Sequence, residues 1–257
     1  MIEKIRKKNI KIQGTVASQK KSLSIINQLL KTKFNYQFDW LGIPAIQFPN
    51  DMLIIQELIF KQKPKIIIEC GIGHGGMLIF YASILKLLNI KNFKVIGIDI
   101  LIKKKNRKRI ESHSLSKYIK LYETSSVDQI FFERLKKNIF LKNSRKLVIL
   151  DSNHTKNHVL KELDLYSTLI KKGEYIVVMD TIIEFINKIY NKGKEFKKGN
   201  SPYNAVVDFL KKNKNFKVDN FYENKSFLTV AKKGFLKKNK IRLFLYYEKK
   251  NYLFRLR

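Results

Sequence analysis

The chain has 257 residues, long enough to bury a large core, and its 53 Lys and Arg against 21 Asp and Glu give a formal net charge of +32. A lone cysteine, Cys70, excludes an internal disulfide framework, and no apolar run is long enough to span a bilayer. The basic excess would suit nucleic acid or an anionic surface. Yet it is carried mainly by lysine alongside abundant Ile, Asn, Phe and Tyr, the set that AT-rich codons encode, whereas base reading and phosphate clamping favour arginine. With no secretion-signal core after Met1-Ile2-Glu3-Lys4, the expected compartment is the reducing cytoplasm.

Residues 1–33 read as a basic arm or amphipathic helix, with Leu23, Ile25, Ile26, Leu29 and Leu30 as its apolar face, packed on its own domain or on a neighbouring subunit. The aromatic, turn-rich segment Tyr36 to Pro44 follows and holds the only tryptophan, Trp40, expected as a hydrophobic plug or as part of a lid. Asn50 or Asp51 is expected to cap a helix over Met52 to Phe60.

Ile66-Ile67-Ile68-Glu69-Cys70-Gly71-Ile72-Gly73-His74-Gly75-Gly76 reads as strand, tight turn and helix. The apolar run suits a strand buried on both faces of a parallel sheet, and Met77, Phe80, Tyr81, Ile84, Leu85 and Leu88 recur at helical spacing. Strands and helices then alternate as parallel β-α units: strands at 95–100, 119–123, 147–151 and 175–180, and helices near 103–109, 158–170 and 202–210. Phe216 to Tyr222 and Phe227 to Ala231, around Glu223-Asn224-Lys225-Ser226, read as a hairpin. The aromatic, basic tail from Ile241 to Arg257 suits packing on the domain, or an interface with a membrane or partner.

The glycine spacing differs from the dinucleotide fingerprint, whose third glycine falls three residues after the second. Glu-x-Gly-x-Gly-x-Gly is similar to motif I of S-adenosylmethionine-dependent methyltransferases, with Asp99 at the ribose position. Asp151 and Asp180 end successive strands, and paired hard oxygens there suit magnesium or manganese, which could hold vicinal hydroxyls. His154, three residues after Asp151, can take a hydroxyl proton near neutral pH. Strand-end caps and a surface histidine are the simpler alternatives.

Trp40-Leu41-Gly42, Gln47-x-Pro49-x-Asp51, the Glu69 to Gly76 turn, Gly97-x-Asp99, Ser125-Ser126-x-Asp128, Leu150-Asp151-Ser152-Asn153-His154-Thr155 and Asp180-Thr181 occur in this order. Together they resemble the cephalosporin hydroxylase family, which includes rhamnosyl O-methyltransferases, over roughly residues 34 to 237. The resemblance implies a Rossmann-like α/β fold with a seven-stranded, mostly parallel sheet and an antiparallel C-terminal hairpin, S-adenosylmethionine, a divalent metal, and a homo-oligomer. Domains are expected at 34–237, with a basic arm at 1–33 and a basic aromatic tail at 238–257. By position, Asp151 and Asp180 match metal-binding acids and His154 matches the general base. Some relatives carry a glutamate where Met179 stands, so Thr181 or water would complete the metal shell. No His-x-Asp facial triad for iron is present, so the hydroxylase name does not carry over.

The expected activity is metal-assisted O-methylation of a sugar hydroxyl in a surface glycan, such as lipopolysaccharide, or in a glycosylated metabolite. Glu69, Gly71, Gly73, His74, Gly75 and Asp99 would hold S-adenosylmethionine, with Ser125 and Ser126 near its adenine; Asp151 and Asp180 would hold Mg2+ or Mn2+, and His154 would be the base. No specific nucleic-acid partner is expected, since no Asn/Asp-Pro-Pro-aromatic motif occurs. The rivals are a nucleic-acid methyltransferase and a nonenzymatic polyanion- or membrane-binding protein, the latter using the lysines and the tail.

Overall fold

The computed structural model describes residues 1–138, 143–187 and 192–239. Two helices, α1 (Ile2–Gln13) and α2 (Val16–Lys31), lead to a two-stranded ribbon of β1 (Asp39–Trp40) and β2 (Ile43–Pro44), then to α3 (Pro49–Gln62). The alternating section runs β3 (Ile66–Cys70), α4 (Gly76–Leu87), β4 (Lys94–Asp99), α5 (Lys104–Glu111), β5 (Ile119–Glu123), α6 (Gln129–Lys137), β6 (Lys146–Leu150), α7 (Lys156–Tyr166) and β7 (Tyr175–Val178). It closes with α8 (Pro202–Lys212), β8 (Phe216–Val218), α9 (Asn220–Ser226) and β9 (Phe235–Lys238).

The seven strands lie in the order β5-β4-β3-β6-β7-β9-β8. The first five are parallel, and β9 runs antiparallel to both β7 and β8. Alternate residues of the central strands feed two cores. Ile67, Val95, Leu147, Ile149 and Val177 pack with α3 and α4 on one face; Ile66, Ile68, Cys70, Val148, Leu150 and Val178 pack with α6, α7 and α8 on the other. Burial on both faces explains the unbroken β-branched runs. The chain builds the sheet outward from β3 through β4 to β5, then crosses back to place β6 on the other side of β3, so the crevice at their carboxyl ends is where an open α/β sheet binds ligands.

Several expectations change. The C-terminal strands pair antiparallel, but not as a tight hairpin. Asp219 accepts a hydrogen bond from the backbone of Phe221 at 3.2 Å and starts α9 where the strand was expected to continue; the second strand lies at 235–238, not at 227–231. Neither Asn50 nor Asp51 caps α3. Phe48 holds the cap position, Pro49 follows it, and Asp51 is fully buried. On α2, Ile26 is buried and Leu23, Leu29 and Leu30 pack beside it, but Ile25 faces solvent. Trp40 is a plug: its ring meets Phe80 edge-on at 4.8 Å, and its indole N–H donates to Ser83 Oγ at 3.0 Å. The tail from Ile241 to Arg257 lies outside the described residues.

Candidate active site

Gly71 follows β3 with φ at +84°, and a Cβ there would stand 2.1 Å from the carbonyl oxygen of Asp151. Only glycine lets the β3 turn come this close to the end of β6. Gly73, with φ at +52°, meets nothing within 4 Å where its Cβ would be, leaving an open surface against which a ligand can lie. Asn106 of α5 donates to the Gly73 carbonyl at 3.1 Å and fixes the turn.

Two cavities meet at this turn. The first, about 690 Å³, is lined by Glu69, His74, Gln47, Asp151, His154 and Asp180 among others. The second, about 620 Å³, is lined by Asp99, Ser125, Ser126, Ser152, His154 and His158 among others. Gly71, Gly73, Asp151 and His154 belong to both, as do Lys194 and Phe196. An adenosyl group and an acceptor could therefore occupy adjoining spaces on either side of the same four site residues.

Asp151, just past β6, donates its backbone N–H to Cys70 O at 2.8 Å. Asp180, just past β7, sits in the left-handed region at φ +53°, a conformation aspartate tolerates better than most residues. One ligand atom from each of Asp151, His154 and Asp180 falls within 4.8 Å of the others, and His154 Nε2 lies 3.4 Å from Asp180 Oδ2. The rings of Phe196 and His154 meet at right angles with centroids 5.1 Å apart. Gln47 Nε2 reaches Asp151 Oδ2 at 3.5 Å.

Acidic groups crowd this end of the first cavity. Burial, followed by the charges of Asp180, Glu69, Glu162 and Asp51, holds the Asp151 carboxyl well above the usual carboxylate range. Burial likewise pushes Glu69 up to about 8 and Asp51 up to about 7. Among the described residues none of Asp51, Glu69, Asp151 and Asp180 pairs with a lysine or arginine. Glu69 Oε2 and Asp51 Oδ1 are buried without a partner. A cluster of this kind suits cationic ligands, and its hard oxygens fit a divalent ion.

The other expected residues divide. Asp99 accepts from the backbones of Ile72 at 2.9 Å and Leu101 at 3.1 Å, and still borders the second cavity. His74 lines the first cavity with Nδ1 buried and unpartnered; Gly75, at φ +90°, holds the N-cap position of α4. Ser126 is buried, its hydroxyl 3.0 Å from His158 Nε2, while Ser125 is half-buried and Asp128 caps α6. Met179 is buried, and Thr181, also buried, donates its hydroxyl to the carbonyl of Val230 at 3.2 Å.

Sequence reasoning missed a network on α7. Buried Glu162 accepts from Ser152 Oγ at 2.6 Å and lies 3.5 Å from His158 Nε2. The only signal was the repeat of four: His154, His158, Glu162.

The family model for rhamnosyl O-methyltransferase/CmcI matches residues 32–239. The chain belongs to this family. A rhamnosyl O-methyltransferase of Mycobacterium bovis is 31% identical over 216 residues, covering 82% of this chain and 80% of that protein, and its counterpart in Mycobacterium tuberculosis matches equally. Among solved structures, CmcI with Mg and SAM superposes with a TM-score of 0.55 at 19% identity, over 79% of this chain and 77% of that one. An O-methyltransferase from Bacillus cereus in complex with SAH gives 0.51 at 12% identity, over 79% and 82%. These two likenesses agree with the fold. As a member of this family, the chain is an S-adenosylmethionine-dependent O-methyltransferase.

Proposed function

We propose that this family member methylates a sugar hydroxyl, in a glycan or glycosylated metabolite, with a divalent cation held by Asp151 and Asp180. One observation carries the reading: Asp151, His154 and Asp180 converge within 4.8 Å of one another, Asp151 and His154 on the wall shared by the two cavities and Asp180 on the first, beside the glycine turn. The rhamnosyl name of the 31% identical relatives supports a sugar as acceptor.

S-adenosylmethionine, held at the glycine turn, would supply an electrophilic methyl group for the acceptor oxygen. Asp151 and Asp180 would hold a divalent ion, Mg2+ or Mn2+, which would supply the Lewis acidity that makes the hydroxyl easier to ionise. His154, with Nε2 3.4 Å from Asp180 Oδ2 and its ring packed against Phe196, takes the hydroxyl proton on whichever ring nitrogen is unprotonated. Asp99 orients the ribose hydroxyls. Ser125 would stand near the adenine, and Ser126, tied to His158, shapes that wall of the second cavity. Glu69, with one oxygen on Tyr81 at 2.8 Å and one free, faces the positive charge of the cofactor. His74 is a cofactor contact rather than the base, since it belongs to the turn. Because the reaction is an in-line displacement, much of its rate comes from holding donor and acceptor in register.

Calorimetry with S-adenosylmethionine, followed by methyl-transfer assays on sugar acceptors with Mg2+ or a chelator, tests the reading. Cofactor binding and chelator-sensitive transfer are expected. In His154→Ala, transfer should fall by about 10²–10⁴-fold with cofactor affinity preserved. Failure of the folded protein to bind the cofactor would overturn the reading, and full activity of His154→Ala would overturn the assigned base. Salt-sensitive methylation of nucleic acid, with sugars inert, would replace the acceptor class.

A further inference from the structure

Helix α1 buries none of its twelve residues. It packs against α9, where Ile10 and Gln13 are half-buried, and its other residues are exposed. At 100° per residue, Ile2, Ile5, Asn9 and Ile12 fall within an arc of about 80°. The three isoleucines are 61%, 50% and 49% exposed, and Val16, just past the turn at Gly14, is 75% exposed. Lys4, Lys8 and Lys11 flank one side of the arc and Arg6 the other, and none forms an ion pair among the described residues.

An apolar stripe bordered by unpaired cations is the pattern of a helix lying in a bilayer interface, apolar side chains among the acyl chains and ammonium groups at the headgroups. Charge decides between this occupant and a second copy of the chain. Two copies meeting on the stripe would bring together two sets of the same four cations, each on a molecule of formal charge +32. Anionic headgroups complement them instead. We infer that α1 is a docking helix for an anionic lipid surface. No helix among the described residues is long and apolar enough to cross a membrane, so contact would be peripheral. The C-terminal end of α2, which follows α1, borders the first cavity through Leu30 and Lys31. The sixteen residues of α2 span about 24 Å, so docking through α1 would set the cavity mouth at a fixed reach from the surface.

The test is co-sedimentation of the full chain with phosphatidylglycerol-containing vesicles and with pure phosphatidylcholine vesicles at about 0.15 M salt. Binding to the anionic vesicles only is expected. Ile2→Ser/Ile5→Ser/Ile12→Ser keeps every charge and should partition at least about tenfold more weakly. Lys4→Gln/Lys8→Gln/Lys11→Gln should bind more weakly and with a shallower dependence on salt. Should the serine variant fail to fold, Ile12→Cys bearing an environment-sensitive fluorophore replaces it, since the other cysteine, Cys70, is buried. A blue shift on anionic vesicles is then expected. Equal binding by the serine variant, or an unshifted fluorophore, would overturn the proposal, because attraction would then come from the rest of the basic surface. So would absence of wild-type binding, or a concentration-dependent dimer abolished by the serine substitutions.

Discussion

Glu69 shows how one side chain couples stability to ligand binding. With its folded-state value near 8, above the ordinary carboxylate range, the free protein holds this group protonated at neutral pH. The folded state therefore binds more protons than the unfolded chain between roughly pH 4 and 8, and stability falls as pH rises through that window. Glu69→Gln removes the titration while keeping an acceptor for the Tyr81 hydroxyl. The ligand-free variant should lose less stability than the wild type between pH 6 and pH 9, by about 1–3 kcal/mol, read from denaturant midpoints at the two pH values. A cationic ligand needs the ionised form, so wild-type affinity for S-adenosylmethionine should rise from pH 6.5 to 8.5 and that of Glu69→Gln stay flatter. Calorimetry across the range decides it. Gly71, unlike Glu69, has a single allowed identity. Gly71→Ala adds a Cβ 2.1 Å from Asp151 O at a positive φ, and should cost about 2–5 kcal/mol in urea unfolding.

At the scale of elements, buried acids clamp pieces that the sheet alone would not hold. Asp51 on α3 accepts from the backbone N–H of Val230 at 2.9 Å, and Val230 in turn accepts from the Ile182 N–H and the Thr181 hydroxyl beside Asp180. This one carboxyl therefore ties α3 to the 229–231 loop and, through it, to the turn after β7. Asp51→Ala orphans a buried N–H and should cost about 2–4 kcal/mol. Asp51→Asn keeps the acceptor and should be near neutral in the same chemical denaturation. The clamp was not legible beforehand, because an acid at the start of a helix has the same sequence signature whether it caps the helix or accepts from a loop 179 residues away. Strands β3, β4, β6 and β7 were legible because burial on both faces demands continuous apolar runs, which expose the acids at or beside their ends, whereas β5, half-buried at the sheet edge, was legible from its alternation. The C-terminal strand failed for the opposite reason. Phe227 to Ala231 is an apolar run that packs as a loop, and only the long-range contact with Asp51 distinguishes it from a strand. Ser126 was expected beside the adenine, but its pairing with His158 on α7 again depends on two segments far apart in sequence.

For the whole molecule, charge opposes compaction. Against 53 basic side chains stand 21 acids, and several of those acids lie buried in the cleft, unavailable to the surface lysines. Most exposed lysines therefore repel one another, and the repulsion is greatest at low ionic strength, where the Debye length is about 30 Å at 0.01 M. Raising salt from about 0.01 M to 0.3 M should increase the melting temperature by roughly 5 °C, the reverse of a protein stabilised mainly by surface ion pairs. Sulfate should do more than chloride at equal ionic strength, through its exclusion from the surface and its divalent charge. The cleft should respond in the opposite sense. Its acids are mutually repulsive too, but they are relieved by a bound cation, so Mg2+ should raise the melting temperature beyond the shift given by NaCl of matched ionic strength. Asp151→Asn/Asp180→Asn should abolish that extra Mg2+ increment and leave the NaCl response intact. An equal Mg2+ increment in wild type and variant would place the effect on the general surface and remove the cation from the acid pair.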